Sequence, residues 1–172
     1  MKKLIALLFS TLISFSSYGE TICFDTVNIK KSGGIIYYPN WETKPFTGKN
    51  LCKYENGQKQ LEETFKDGKS NGKWTYWYEN GQKHIEENYK EGKSDGILTA
   101  WTENGQINWK GSYKDGNQVS KTNYFYYESG QKESETNSKD GKLDGKGTYW
   151  YENGQKHIEE NYKEGKSDGI LT

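Results

Sequence analysis

Few side chains in this sequence could do chemistry. Histidine, a common general base and metal ligand, occurs only at His84 and His157. Both lie in a segment that occurs twice, because residues 148–172 repeat residues 75–99 without a difference. The two histidines are therefore copies of one residue, and no acidic cluster recurs around them. With no nucleophile, acid–base pair or ligand set at a usable spacing, the sequence predicts no catalytic residue, no metal site and no cofactor.

A regular series of aromatic rings is the other candidate for chemistry. Aromatic residues make up 15% of the chain. Four of them recur at one position of a repeat and form a candidate binding ladder: Trp77, Trp101, Phe125 and Trp150. Evenly spaced rings can stack on a ligand or only on one another. The sequence leaves both interpretations open.

A repeat of about 24 residues must position this ladder. Glu-Asn-Gly-Gln or Glu-Ser-Gly-Gln recurs with its glycine at Gly57, Gly81, Gly105, Gly130 and Gly154. A second glycine follows eleven residues later, at Gly68, Gly92, Gly116, Gly141 and Gly165. Such a fixed period indicates a repeat architecture.

Each repeat unit is expected to be a β-hairpin. In the second unit, Asn80-Gly81 separates two runs rich in Trp, Thr and Tyr, which predicts a type I′ turn. With Glu79 and Gln82 closing the turn, the facing pairs are Tyr78 with Lys83, Tyr76 with Ile85, and Trp74 with Glu87. One face then carries Trp74, Tyr76, Tyr78, Ile85 and Tyr89, and we expect it to be the buried one. The other face carries Thr75, Trp77, His84 and Glu86.

The composition fits an all-β fold with a thin core of rings. Hydrophobic residues are only 31% of the chain, which argues against a helical bundle, an α/β enzyme domain and a bilayer-spanning protein. The formal net charge is zero, so disorder driven by net charge is not expected. We therefore predict an elongated single-layer antiparallel meander of repeated β-hairpins.

The amino terminus indicates export. Lys2 and Lys3 precede an apolar run over residues 4–15, and small residues, Ser17 and Gly19, follow. This pattern predicts a secretory signal peptide over residues 1–19 and a mature chain that begins at Glu20. A membrane anchor needs about 18 apolar residues or more. We expect the mature protein to be periplasmic, on the cell surface or secreted, with at most peripheral membrane contact.

The mature chain divides into two parts. Residues 20–47 form lead-in strands and a loop, and residues 48–172 form five hairpin repeats and the start of a sixth. Ile170 to Thr172 begin a strand whose return is missing. At this edge we expect truncation or fraying rather than pairing with another chain.

The cysteines, Cys23 and Cys52, are expected to form one disulfide. They are the only two in an exported chain, and such pairs form in oxidising compartments. Cys52 takes the repeat position of Tyr76, Tyr124 and Tyr149. The alternative is two separate buried thiols.

The charged residues argue against nucleic acid as a partner. Every basic residue is a lysine, so the bidentate guanidinium fork that reads phosphate and guanine is absent. Removal of residues 1–19 leaves 22 basic and 24 acidic groups. A net charge of minus two does not attract a nucleic-acid backbone.

The units resemble the MORN repeat in its bacterial variant form. Trp109, Gly111, Tyr113, Gly116 and Asn117 are similar to the core of the family motif, and Tyr89, Gly92, Lys93 and Gly96 to its second half. Residues 35–48 look like the opening of bacterial members, so the resemblance covers residues 35–172. The chain departs from the motif where Glu63, Glu87 and Glu160 replace the first glycine.

This resemblance implies a non-enzymatic ribbon of hairpins that contacts a protein partner, at or beyond the cell envelope if the chain is exported. Some relatives are said to bind acidic phospholipid, and others are named as antitoxins of toxin–antitoxin modules. A glycan or cell-wall binding module is an alternative, because aromatic hairpin repeats also resemble wall-binding modules. An antitoxin role rests on family naming alone.

Overall fold

The computed structural model describes residues 20–26, 30–38 and 43–170. The signal peptide predicted at residues 1–19 lies outside these ranges, as do Leu171 and Thr172 in the strand expected to begin a sixth hairpin. Within them, the secondary structure is one short 3-10 helix, Phe24–Thr26, and a series of strands. The strands are β1 (Glu20–Ile22), β2 (Lys30–Ser32), β3 (Ile35–Tyr37), β4 (Gly48–Lys53), β5 (Lys59–Lys66), β6 (Lys69–Ser70), β7 (Gly72–Trp77), β8 (Lys83–Lys90), β9 (Lys93–Ser94), β10 (Gly96–Trp101), β11 (Ile107–Lys114), β12 (Asn117–Tyr126), β13 (Lys132–Lys139), β14 (Lys142–Trp150), β15 (Lys156–Lys163) and β16 (Lys166–Ile170).

The strands from β4 onward form one open sheet of successive antiparallel hairpins. The predicted all-β meander of hairpins is therefore confirmed. Two short strands, β6 and β9, pair only with the strand before them. At the other edge, β1 lies parallel to β4, with Glu20 opposite Gly48 and Ile22 opposite Asn50.

Each unit uses two different turns, and the turn type predicted at Asn80-Gly81 is wrong. There the Gly81 amide donates to the Tyr78 carbonyl at 2.9 Å, and the Tyr78 amide donates to the Gln82 carbonyl at 2.9 Å. In this turn Gly81 alone has a positive φ, of 85°. The geometry is a three-residue loop, a type I turn closed by a glycine bulge. Asn80 keeps a negative φ because its Oδ1 accepts the Gln82 amide at 2.9 Å, as Asn does in many turns.

The type I′ geometry occurs at the other end of the strands. Asp67 has a φ of 49° and Gly68 a φ of 75°, between the paired residues Lys66 and Lys69. Both central residues of a two-residue type I′ turn need a positive φ, and Asp-Gly supplies it. An Asp-Gly or Glu-Gly pair has the same two positive φ angles in each later unit.

The bulge changes the predicted register at one pair. Tyr76 faces Ile85 and Trp74 faces Glu87, as expected, but Lys83 faces Trp77 rather than Tyr78. Tyr78 lies in the turn instead. The face predicted to be buried, which we call the Trp74 face, is only half-buried over Trp74, Tyr76, Ile85 and Tyr89. One reason is that a single sheet has no second layer to cover these rings.

The aromatic core lies at the amino-terminal end. Phe46 is fully buried, and its ring contacts Phe24, Tyr38 and Phe65 at centroid distances of 5.4, 5.0 and 5.9 Å. Cys52 is buried beside this cluster and is bonded to Cys23, with a Cα–Cα distance of 4.9 Å. The lead-in segment therefore covers the first unit of the array.

Candidate functional site

A row of rings and lysines runs across the strands on the face that carries Thr75, here called the Thr75 face. The ring comes from the last residue of a strand, and the residue opposite it is the first of the next strand. The facing pairs are Trp77 with Lys83, Trp101 with Ile107, Tyr126 with Lys132, and Trp150 with Lys156. All four rings are half-buried.

Phe125 does not belong to this row, so its predicted place in the ladder is wrong. Phe125 faces Ser134, as Tyr76 faces Ile85 and Tyr149 faces Ile158. It therefore lies on the Trp74 face, where it is 53% exposed. The physical reason is the extra residue in the 25-residue unit, which lies before Phe125 and moves Tyr126 into the ring position. For the same reason the unit's equivalent of Cys52 is Phe125 rather than Tyr124.

Lysine side chains lie over the rings and bridge neighbouring units. Lys59 Nζ is 5.3 Å from the Trp77 ring centroid, Lys83 Nζ is 5.5 Å from that of Trp101, and Lys132 Nζ is 5.1 Å from that of Trp150. These distances allow cation–π attraction. The row thus alternates ammonium and ring, and Ile107 interrupts the alternation before Tyr126. We call this set the Lys–Trp row: Lys59, Trp77, Lys83, Trp101, Ile107, Tyr126, Lys132, Trp150 and Lys156.

The same lysines bind glutamates, and three of these glutamates have a lysine on each side. Glu62 accepts hydrogen bonds from Lys49 at 2.8 Å and from Lys59 at 2.7 Å, which lower the pKa of its carboxyl. Around Glu86, desolvation opposes the shift, but Lys83 and Lys73 outweigh it and the pKa is lowered. Lys146 and Lys156 lower the pKa of Glu159 in the same way. Each of these glutamates is thus flanked by two lysines, so the Thr75 face has an excess of positive charge.

A shallow groove of about 280 Å³ lies on this face between β13, β14 and β15. It is lined by Trp150 and Thr148, by the carboxylates of Glu135 and Glu159, and by Asn137, Lys146 and Lys156. A ring, an amide and charged groups therefore meet in one open depression.

The Trp74 face has carboxylates with neutral partners. Glu63 is buried and accepts hydrogen bonds from Asn50 Nδ2, at 2.7 Å, and from the Tyr76 hydroxyl. Glu87 accepts from Tyr89, at 2.8 Å, and from Ser94. Burial and the Glu87 carboxylate raise the pKa of Tyr89 to about 12. Among the described residues Glu63 and Glu87 form no salt bridge, so the two faces of the sheet differ in charge.

The histidines and cysteines make contacts within the folded chain. His84 stacks on Tyr78 and His157 on Tyr151, at centroid distances of 4.4 and 4.2 Å. Cys23, Asp25 and Cys52 place ligand atoms within 4.8 Å of one another, but the two sulfurs are bonded together. Within residues 20–26, 30–38 and 43–170, no helix is long and apolar enough to span a bilayer.

Comparison with known proteins identifies the repeat. The family model for the MORN repeat variant matches residues 46–67, 70–91 and 143–164. The chain contains MORN repeats. No curated protein matches it. Among solved structures it is similar to one titled "Crystal structure of GtfA/B complex bound to UDP and GlcNAc", at 10% identity and a TM-score of 0.24, over 82% of this chain and 26% of that one. The chain thus spans about a quarter of that protein's length, and a similarity this weak supports no conclusion about fold or function.

Each matched MORN segment contains a strand, a three-residue loop and the strand that follows. The Lys–Trp row was only partly recognisable in the sequence, through its tryptophans. Its lysines were missed, although a signal existed, because Lys59, Lys83, Lys132 and Lys156 each follow a turn glycine by two residues. Tyr126 was missed because the position of the extra residue cannot be read from glycine spacing.

Proposed function

We propose that this MORN-repeat protein is a non-enzymatic exported scaffold that binds a protein partner through the Lys–Trp row. MORN repeats commonly mediate protein or membrane interactions. The observation that carries the proposal is the alternation of half-buried rings with solvent-accessible lysines along one face. Aromatic residues supply much of the binding energy at protein interfaces, and repeat surfaces spread contacts over equivalent units.

Matched variants of the mature chain, residues 20–172, test the proposal. The wild-type protein is immobilised and used to capture partners from an envelope fraction, beside Trp77→Ala/Trp101→Ala and Phe125→Ala. Phe125 is an exposed ring on the opposite face and is the control. We expect a specific partner to be retained by wild-type and Phe125→Ala protein and lost from the double variant. The proposal is contradicted if the double variant retains the partner as the wild type does, or if all variants lose it equally.

Export has its own test. The intact mass of the protein in the envelope or culture fraction should correspond to a chain that begins at Glu20. An envelope protein that retains Met1 contradicts soluble export.

A glycan-binding role is a second candidate, favoured by the groove at Trp150. Its ring could stack on a sugar, and the Glu159 carboxylate could accept a hydrogen bond from a sugar hydroxyl. The Asn137 amide in the groove is already bonded to Thr122 and to the Lys146 carbonyl. Retention on purified cell-wall material, lost in Trp150→Ala and kept in Phe125→Ala, would support this role. Failure of the wild-type protein to be retained rejects it.

A further inference from the structure

The Lys–Trp row has a spacing that selects the conformation of a ligand. Trp77 lies on β7, Lys83 on β8 and Trp101 on β10, and these three strands are hydrogen-bonded neighbours. Adjacent strands lie about 4.8 Å apart, so successive rings are about 9.6 Å apart. Sheet twist turns each strand by about 20 to 25° relative to the last. A straight ligand can therefore lie against two neighbouring rings but not against all four.

A polyproline II helix matches this interval. It has three residues per turn and rises about 3.1 Å per residue, so residues three apart lie on one side at about 9.3 Å. Side chains on one side of an extended strand repeat at about 6.7 Å. One turn of an α-helix rises about 5.4 Å, and two turns about 10.8 Å. Of these three conformations, polyproline II fits the rings best.

The lysines determine the charge of the ligand. Lys59 and Lys83 lie on the approach to Trp77 and Trp101, and their side chains are 48% and 45% exposed. Each of these ammonium groups also pairs with a glutamate, at 2.7 Å for Lys59 and 2.6 Å for Lys83, and a second lysine pairs with the same glutamate in both cases. Exposed cation–π contacts and exposed salt bridges are both weak, so the two ammonium groups can turn to a ligand carboxylate without a large loss. Two lysines flank each glutamate here, and the surface is complementary to an acidic chain.

We propose that the segment Lys59–Trp77–Lys83–Trp101 binds an acidic, proline-rich peptide segment in the polyproline II conformation. Prolines three residues apart pack against the two indole rings, and acidic side chains between them pair with the lysines. Aromatic-lined grooves recognise such segments because a polyproline II chain loses little entropy on binding. This inference rests on the proposed scaffold function and specifies its partner.

The chain contains its own weaker comparison site. In the third and fourth units Ile107 replaces the lysine, and Tyr126 replaces a tryptophan. The Tyr126 hydroxyl is also used within the sheet, where it donates to the Ile107 carbonyl at 2.9 Å. The site formed by Tyr126 and Trp150 therefore has one lysine fewer and a smaller ring than the site formed by Trp77 and Trp101. The site at Trp77 and Trp101 should bind the peptide more tightly.

Synthetic peptides and the mature chain test the inference. The probe is three repeats of Glu-Pro-Pro. Its controls are three repeats of Lys-Pro-Pro, which reverse the charge, and of Glu-Gly-Ser, which remove the rigid conformation. Titration calorimetry should show saturable binding of Glu-Pro-Pro that weakens with salt. Binding should be about tenfold weaker or more in Trp101→Ala. Phe125→Ala should bind as the wild type does.

A second variant guards against loss of fold. Lys59→Gln/Lys83→Gln keeps both rings and should weaken Glu-Pro-Pro binding. Because Lys49 and Lys73 still pair with the two glutamates, this variant should lower the thermal unfolding midpoint only slightly. The inference is overturned if Glu-Gly-Ser or Lys-Pro-Pro binds as tightly as Glu-Pro-Pro, or if Glu-Pro-Pro does not bind. It is also overturned if tight binding of Glu-Pro-Pro survives in both variants. Binding of oligosaccharide or acidic vesicles by the row, without binding of Glu-Pro-Pro, overturns it as well. If partner capture depends on the row while Glu-Pro-Pro fails to bind, the scaffold function stands and the peptide assignment falls.

Discussion

The Tyr54 hydroxyl donates a hydrogen bond to the carbonyl oxygen of Trp77, one unit further along the chain, at 2.6 Å. The same bond joins Tyr78 to Trp101 at 2.8 Å and Tyr127 to Trp150 at 2.7 Å. These tyrosines connect units at the end of the sheet where the glycine-bulge turns lie. At the other end, the turn amides of Gly92 and Gly116 donate to the carbonyls of Ser70 and Ser94, each at 2.8 Å. The first, second and third units are thus tied to each other at both ends of the sheet.

Removal of one tyrosine hydroxyl should weaken a single junction. Tyr78→Phe loses the bond to Trp101, and we expect the free energy of unfolding to fall by about 0.5 to 1.5 kcal/mol. Tyr151→Phe is the matched control, because among the described residues the Tyr151 hydroxyl has no hydrogen-bond partner and the residue is 49% exposed. Chemical denaturation of both variants measures the difference. Equal stability of the two variants would mean that the hydroxyl bond contributes nothing.

Two glycines with the same backbone angle should differ in their tolerance of alanine. Gly68 and Gly141 have φ values of 75° and 76°, so alanine strains both turns by about 1 to 3 kcal/mol. At Gly68 a Cβ would also collide with Ile35 Cγ2 and would lie 2.6 Å from the Ile36 carbonyl oxygen, whereas at Gly141 it would meet nothing within 4 Å.

We therefore expect Gly68→Ala to lower the free energy of unfolding clearly more than Gly141→Ala. Hydrogen exchange locates the effect, because the Ile36 amide donates to the Gly68 carbonyl at 2.9 Å and should lose protection only in Gly68→Ala. Similar losses in both variants would show that the β2–β3 hairpin does not depend on this turn.

Acid should destabilise the protein partly through Glu62. Lys49 and Lys59 lower its pKa in the folded state, so the unfolded chain takes up this proton first as the pH falls. The stabilisation is complete above the ordinary glutamate pKa of about 4.3 and is lost as the pH drops through the lower, folded value. Stability should therefore fall less steeply below about pH 5 in Glu62→Gln than in the wild type.

Glu55→Gln is the control for this measurement, since Glu55 is exposed and forms no salt bridge among the described residues. Denaturation midpoints across the acid range compare the three proteins. A stability–pH profile of Glu62→Gln parallel to that of the wild type would show that Glu62 does not contribute to the loss of stability in acid.

The bond between Cys23 and Cys52 should stabilise the folded chain through its effect on the unfolded state. The two residues are 29 apart in sequence, and closing a loop of this length contributes on the order of 3 kcal/mol in the chain-entropy model. Comparison of oxidised and reduced wild-type protein tests this without a substitution at the buried Cys52. Thiol titration of the unfolded, unreduced protein should find no free thiol, and two would exclude the bond.

The architecture could be predicted from the sequence because each unit repeats the same short-range pattern of residues. Glycines at a fixed period and alternating rings specify hairpins in register, and Tyr76 does face Ile85. The turn at Asn80-Gly81 was misassigned because Asn-Gly suits both a type I′ turn and a glycine bulge. The Asn80 side-chain bond to Gln82, which distinguishes them, is a feature of the folded chain.

The row was harder to predict than the fold. One extra residue reverses the face of each side chain until a bulge absorbs it. Glycine spacing reveals that the residue is present but not on which side of Phe125 it lies. The pairing of Lys83 with both Glu86 and the Trp101 ring joins two units, and such contacts follow from tertiary geometry alone.

The disulfide and the chain of neighbouring hairpins also determine how the protein responds to tension. In a repeat array stability resides in each unit and its interfaces with its neighbours, so a pull along the chain can open it one hairpin at a time. Residues between Cys23 and Cys52 bear no load while the covalent bond is intact. The extension of a single stretched molecule should therefore rise in similar steps, and under reducing conditions it should gain a further length from the amino-terminal segment.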